Sequence, residues 1–341
     1  MQDLRVVRFL LPIDLVRKMD RLLAANTAGY QTRHEFAKDA LEAMILELTY
    51  GTVPDEQMSL EAPAPREFER ARSSQMLSID LAATVLRAPS KGAAIEPGAA
   101  SVQNEPMFGL HNRDYPSVWA AHFLAGITPN GPVQADRFFE EVTHEAWRFA
   151  EGLAALEKRG EAKLAALFPK NRDNPQAAED VFRTFAVGGY ARKDGTLTAW
   201  GPLFAWRICS LQETRDEILV GLTDEGYRLL RELDGLSLEL PHSPQLADRF
   251  FDHLQRLAPE DWWGFVQVLR SVAREPTREQ MVADFRRERS MWKENQAATY
   301  AAGYLARARE WGLVATKQVK GRYALSDFGR AWADKIGGDG G

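Results

Sequence analysis

The stretch Thr299-Tyr300-Ala301-Ala302-Gly303-Tyr304-Leu305-Ala306-Arg307-Ala308-Arg309-Glu310-Trp311-Gly312-Leu313-Val314, with the residues directly after it, decides how this chain is read. Tyr300, Tyr304, Leu305 and Ala308 recur at helical spacing, which predicts a helix over residues 295–311. Gly312 stops it, because glycine enters the left-handed region without steric cost. Leu313-Val314-Ala315 and Arg322-Tyr323-Ala324-Leu325 then predict two short strands joined by Lys317-Gln318-Val319-Lys320-Gly321. Ser326 is placed to cap a last helix holding Trp332 and Ile336. Upstream, residues 259–273 predict a helix with Trp262, Trp263 and Phe265, and Thr277 opens another with Glu279, Gln280 and Met281.

Three helices, a hairpin and a trailing helix is the order of a winged helix–turn–helix. Residues 299–314 resemble the recognition helix and turn of that superfamily, and Leu325-Ser326-Asp327-Phe328-Gly329 resembles the segment after its wing. The resemblance implies a helix aimed at the major groove and a wing lying on the backbone. Lys293, Arg307 and Arg309 lie on or beside that helix, and Lys317, Lys320 and Arg322 lie in the wing. Exposed positive charge at these two places is what phosphate binding needs. Residues 259–338 hold fourteen basic and ten acidic residues, a local surplus on a chain of formal net charge −5. The bland alternative is a solvated face on a winged helix that binds protein.

Working back from that segment, the chain looks duplicated. Ala135-Asp136-Arg137-Phe138-Phe139 recurs as Ala247-Asp248-Arg249-Phe250-Phe251, and Leu222-Thr223-Asp224-Glu225-Gly226 recurs in outline as Leu325-Ser326-Asp327-Phe328-Gly329. An earlier winged-helix-like copy is therefore expected over residues 115–235. Its recognition helix would lie near residues 182–190. Its wing strands would be 203–208 and Ile218–Leu222, with Arg183, Arg192, Lys193 and Arg207 as candidate contacts.

At the other end, Val7, Phe9 and Leu11 alternate with Val6, Arg8 and Leu10, as in a strand, and Pro12 ends it. Ile13, Val16, Met19, Leu22 and Leu23 form one helical stripe, and Phe36, Ala40, Met44, Ile45 and Leu48 form a second. Thr32 with Glu35 is a capping box between them. A lone strand and two half-apolar helices cannot satisfy themselves, so a second copy is expected to pair with them. Val7-Arg8-Phe9-Leu10-Leu11-Pro12 and Gly29-Tyr30-Gln31-Thr32-Arg33-His34-Glu35-Phe36 resemble the ribbon–helix–helix family. That resemblance implies a homodimer through residues 1–50. Val6, Arg8 and Leu10 would point into the major groove, and Thr32, Arg33 and His34 would clamp a phosphate. Two of the three outward residues are apolar, and the segment balances seven basic against seven acidic residues. A purely dimerising arm is the competing reading.

The expected fold class is thus mainly α with small β elements, a ribbon–helix–helix arm plus a tandem winged-helix region. Residues 1–50 form the arm, 51–112 a flexible Ala/Pro/Ser/Gly/Glu-rich linker, 113–240 a winged-helix-like domain and 241–338 a winged-helix domain. A short docking helix is expected at residues 76–86. With 45% hydrophobic and 27% charged residues, the composition is that of a globular protein. Its acidic balance excludes diffuse coating of nucleic acid, so any contact with double-stranded DNA must be local. No run of about 18 apolar residues is present, and the single Cys209 sits among apolar neighbours. Both suit a cytoplasmic protein. No phosphate loop or dinucleotide fingerprint stands out, and the six histidines lack metal-ligand spacing. The chain is therefore expected to bind DNA as a regulator without catalysis or cofactor, or to serve as an architectural or adaptor subunit whose winged helices bind protein.

Overall fold

The computed structural model describes residues 84–338, apart from 97, 99, 103–104, 159–167, 171 and 173. All lie within the unit Ala64–Gly341. The expected arm of residues 1–50, with Arg8, Thr32, Arg33 and His34, lies outside the described residues, as do residues 51–83 and with them most of the expected docking helix.

The architecture is mainly helical, with two small three-stranded sheets. In chain order the first half runs β1 (Ser101–Val102), α1 (Tyr115–Ile127), β2 (Val133–Gln134), α2 (Ala135–Lys158) and α3 (Pro175–Phe182). A π-helical turn, Arg183–Val187, follows, and then β3 (Gly189–Lys193), β4 (Thr196–Trp200), α4 (Pro202–Ala205), β5 (Cys209–Glu213), β6 (Ile218–Leu222) and α5 (Asp224–Glu232). The second half is α6 (Pro244–Leu257), α7 (Pro259–Val272), α8 (Arg278–Glu288), α9 (Glu294–Glu310) and α10 (Asp327–Gly338). One sheet has the order β1-β4-β3, the other β2-β6-β5.

Local chemistry sets most of these boundaries. Thr277 and Gln280 form a capping box at α8, with Thr277 N donating to Gln280 Oε1 at 2.8 Å. Gly312 takes φ +73° and ends α9. Ser326 Oγ accepts from Gly329 N at 2.9 Å and starts α10. The segment between them is a narrow hairpin held by Ala315 N to Ala324 O at 2.9 Å and by reciprocal 3.0 Å bonds between Val319 and Arg322. Lys320 and Gly321 turn it with φ +51° and +75°, both left-handed, which suits the twist of a two-residue hairpin loop.

Three expectations fail here. Residues 84–112 are not a free linker, because Leu86, Ile95 and Met107 are buried. Leu86 N bonds Leu236 O at 2.7 Å, Ile95 N bonds Leu222 O at 2.8 Å, and β1 joins β4 in parallel. Residues 182–190 do not make a recognition helix either. Gly188, at φ +116°, ends the π turn, and a side chain there would collide with Trp200 O, so the chain turns into β3. Third, residues 203–208 are not a strand, because Gly201 and Pro202 nucleate the one-turn α4 and the strand begins only at Cys209.

The duplication survives in a different form. Thr223 N donates to Ile208 O and Ser326 N to Leu313 O, each at 3.0 Å. Ile208 N bonds Leu203 O at 3.0 Å, and Leu313 N bonds Ala308 O at 2.8 Å. The same frame thus pairs Trp206 with Trp311, and Arg207 (φ +58°) with Gly312. It also makes α4 the stunted counterpart of the end of α9. The two Ala-Asp-Arg-Phe-Phe motifs both bury their alanine and phenylalanines. They do not mark the same place, however: one begins α2, within the β2-β6-β5 frame, and the other lies in α6, ahead of α7.

Candidate nucleic-acid interface

The helix expected to read DNA is largely inside the protein. Of α9, only Glu294, Asn295 and Ala302 are exposed, with Lys293 exposed just before it. Residues 107–113 lie across the helix. Tyr304 Oη accepts from Met107 N at 2.8 Å, and Phe108 meets Tyr300 edge-on at 5.3 Å. Arg113 Nη1 donates to Ala306 O at 3.0 Å. Gly109 and Gly303 touch backbone to backbone, since a Cβ on Gly303 would come within 2.5 Å of Gly109 Cα.

Arg307 is the main correction. It was expected as an exposed phosphate contact, but its side chain is fully buried. Nη1 and Nη2 each donate to Asp261 at 2.7 Å, a bidentate pair, and Nε donates to Asp114 at 2.7 Å. Trp206 Nε1 donates to Asp261 Oδ2 at 2.8 Å, and Trp311 Nε1 donates to Asp114 Oδ2 at 2.6 Å. The paired tryptophans therefore reach reciprocally across the molecule, each to the aspartate of the opposite half. Tyr304 Oη adds a 2.6 Å bond to Asp261 Oδ1. His111 places Nε2 2.7 Å from Asp114 Oδ1 and Nδ1 against Phe185 O. Glu310 caps α1, accepting from Asp114 N at 2.8 Å and Tyr115 N at 3.2 Å.

Burial alone would raise the Asp114 carboxyl. The Arg307 guanidinium and the bonds from His111 and Trp311 outweigh it and hold Asp114 at about 2. Burial likewise opposes the charge on Arg307, yet Asp114 and Asp261 push it well above the ordinary value. Burial, reinforced by Asp261, also drives the Tyr304 phenol up. With every guanidinium nitrogen engaged, the group cannot turn outward to a phosphate. The cluster fastens the two halves together.

Sequence reasoning missed this cluster because its partners are 193 residues apart in Asp114 and Arg307. A signal did exist. Tyr300, Tyr304, Arg307 and Trp311 follow one another at four-, three- and four-residue steps, so the arginine stands on the apolar stripe.

The other expected contacts separate. Arg309 is half-buried, with its guanidinium 5.4 Å from the Tyr323 ring. Lys317, Lys320 and Arg322 are exposed on the hairpin, where Arg322 donates to Glu275 O at 2.8 Å. Structure thus keeps the hairpin cations together and removes Arg307 from them. In the first half, Arg183 sits 5.5 Å from the Phe139 ring, and Arg192 pairs with Glu213. Arg207 is exposed at the end of α4. The β5–β6 hairpin turns through Thr214-Arg215-Asp216-Glu217, closed by Thr214 N to Glu217 O at 2.9 Å. All four of these residues are exposed, as is Glu213.

Among the described residues no group of three His, Cys, Asp or Glu side chains is placed to hold a metal. No helix among them is long and apolar enough to cross a membrane. Comparison of the chain with protein-family models, with curated proteins and with solved structures gives no match.

Proposed function

We propose that this chain is a dimeric, DNA-bound adaptor, with a ribbon–helix–helix arm over residues 1–50 followed in the chain by a tandem winged-helix region. The order α7, α8, α9, hairpin, α10 supports the winged-helix reading of the second half. In the first half that reading rests on the sheet order β2-β6-β5 and the trailing α5. One observation carries the adaptor role: Arg307 and most of α9 are spent on joining the halves. From its middle onwards this recognition helix is covered by its own chain, and Ala302, exposed mid-helix, has no hydrogen-bonding group, so only Lys293, Glu294 and Asn295 at its start stay open to base edges. Base contact then falls to the arm, through Arg8, with Thr32, Arg33 and His34 on phosphate. The hairpin cations Lys317, Lys320 and Arg322 add a sequence-independent backbone contact.

The test is DNA affinity of the full-length protein across a salt series. Replacing Arg8 and Arg33 by alanine should abolish preference for any one sequence. Replacing Lys317 and Lys320 should weaken all sequences alike and reduce the salt slope by about two. Loss of sequence preference in the hairpin variant, with the arm variant unaffected, would overturn the adaptor reading in favour of a regulator that reads DNA with its second winged helix.

A further inference from the structure

A groove of about 330 Å³ opens beside the buried cluster, between the segment 110–116, α3 and the π turn. That volume lies at the small end of the range for ligand sites. Its walls are apolar and rigid. Phe168 is fixed edge-on by Trp119 at 5.1 Å and by Phe149 at 4.9 Å, and Phe182 stacks on it at 5.8 Å. Val181, 51% exposed, and Leu110, 39% exposed, flank it. They are two of the five large apolar side chains that stand exposed among the described residues.

The polar side of the groove has one sign. Arg113, Lys170 and His111 line it, and among the described residues no aspartate or glutamate does. On a chain of net charge −5 that is a local inversion. Arg113 is also held in place, donating through Nη1 to Asn112 O at 2.9 Å and Ala306 O at 3.0 Å, so little ordering is left for a ligand to impose.

We infer that this groove binds a small carboxylate with an aromatic or branched apolar body. The ring or branch would lie among Phe168, Phe182 and Val181, and the carboxylate would face Arg113 and Lys170. This reading does not depend on whether the arm binds DNA. It gives the body a ligand whose site ends on His111, and through that ring on Asp114 and the cluster that joins the halves.

Titration calorimetry of the full-length protein with 3-phenylpropanoate tests it. One saturable site per chain is expected. Val181→Trp, at an exposed position, should fill the mouth without adding charge and weaken binding by at least about tenfold. Lys170→Glu should weaken the acid by about tenfold while leaving 3-phenylpropanamide, itself the poorer ligand of the wild type, unchanged. If Val181→Trp lowers the melting temperature, Leu110→Trp on the other lip serves in its place. Absence of saturable binding, or binding indifferent to both lip variants, overturns the proposal. So does binding of a tetrapeptide ending in phenylalanine where the small acid does not bind, which would make the groove a peptide-docking surface.

Discussion

The two halves of the body use one backbone frame and give it opposite surfaces. In each, a Thr or Ser caps the final helix, bonds back to the residue after a left-handed turn and admits a glycine three positions on. In the second half that frame carries the 17-residue α9 and a hairpin with Lys317, Lys320 and Arg322. In the first it carries the four-residue α4 and a hairpin with Glu213, Asp216 and Glu217 against a single Arg215. Backbone geometry is therefore specified by a few caps and glycines, while the ligand a hairpin can accept is decided by side chains the frame does not constrain. The helices that would distinguish the halves as DNA readers meet instead at Arg307, Trp206 and Trp311, in the seam.

The strongest way to break the comparison is to unpair that seam. Asp261→Ala leaves a fully buried guanidinium with one carboxylate and strips Trp206 and Tyr304 of their acceptor. Breaking a buried pair from one side costs about 3–5 kcal/mol. Urea unfolding should show a loss of that order. A loss below about 1 kcal/mol would mean that the Asp261 pair does little to hold the halves together. Replacing the whole set together, as Arg307→Met with Asp114→Asn and Asp261→Asn, should cost less than the single change, since no buried charge is then left over.

Next in size is a paired test of the frame. A Cβ on Gly226 would sit 2.0 Å from Ile208 O, and one on Gly329 would sit 1.9 Å from Leu313 O. Each Gly→Ala change forces the cap apart and should destabilise by about 1–3 kcal/mol, as overpacking does. Equal losses in the two variants would support the equivalence of the halves, and a harmless change in one would refute it.

Acid should act on the seam in a third way. Burial, helped by Arg228, lowers the His253 imidazole to about 4, although its bond to Trp206 O at 2.7 Å and Glu225 favour the proton. His122 is lowered to about 4 by burial as well, but it is half-buried, so its share should be smaller. A histidine whose folded pKa is depressed takes up its proton more readily when unfolded. Stability should therefore fall as pH drops from about 6.5 towards 4, and not rise. Asp114, depressed to about 2, contributes stability above its ordinary range that is lost only as pH falls from about 4 towards 2. His253→Gln should flatten the upper limb and leave the lower one in place, as read by melting temperature against pH.

How much of this is legible in the sequence depends on the range of the interaction. Helices α7 to α10 are readable because Thr277, Gly312 and Ser326 encode their ends within three residues. The first half is misread where the β3–β4 hairpin, turned by Asp194 and Gly195, is inserted ahead of α4 and displaces the pattern. Residues 84–112 read as a linker because their anchors Leu86, Ile95 and Met107 are isolated among small residues, which carry no periodicity. Of the candidate site, the hairpin cations are read correctly as exposed. Arg307 is not, because its burial depends on two aspartates that only the tertiary fold brings near.

The smallest expected effect on stability falls on the hairpins, and it is the most direct probe of what separates the halves. Lys317 and Lys320 are exposed, so replacing both with alanine should move stability by no more than about 0.5 kcal/mol. The charge they supply to a phosphate backbone should nevertheless register in DNA affinity as a salt slope lower by about two. The reciprocal change is Asp216→Lys with Glu217→Lys. It keeps a two-residue turn, because the closing Thr214–Glu217 bond uses backbone atoms, and gives the first hairpin three cations, as the second has, against the one remaining acid Glu213. If charge is all that distinguishes the hairpins, that variant should gain salt-sensitive, sequence-indifferent affinity comparable to what the Lys317/Lys320 variant loses. If it gains nothing, position matters as well as charge.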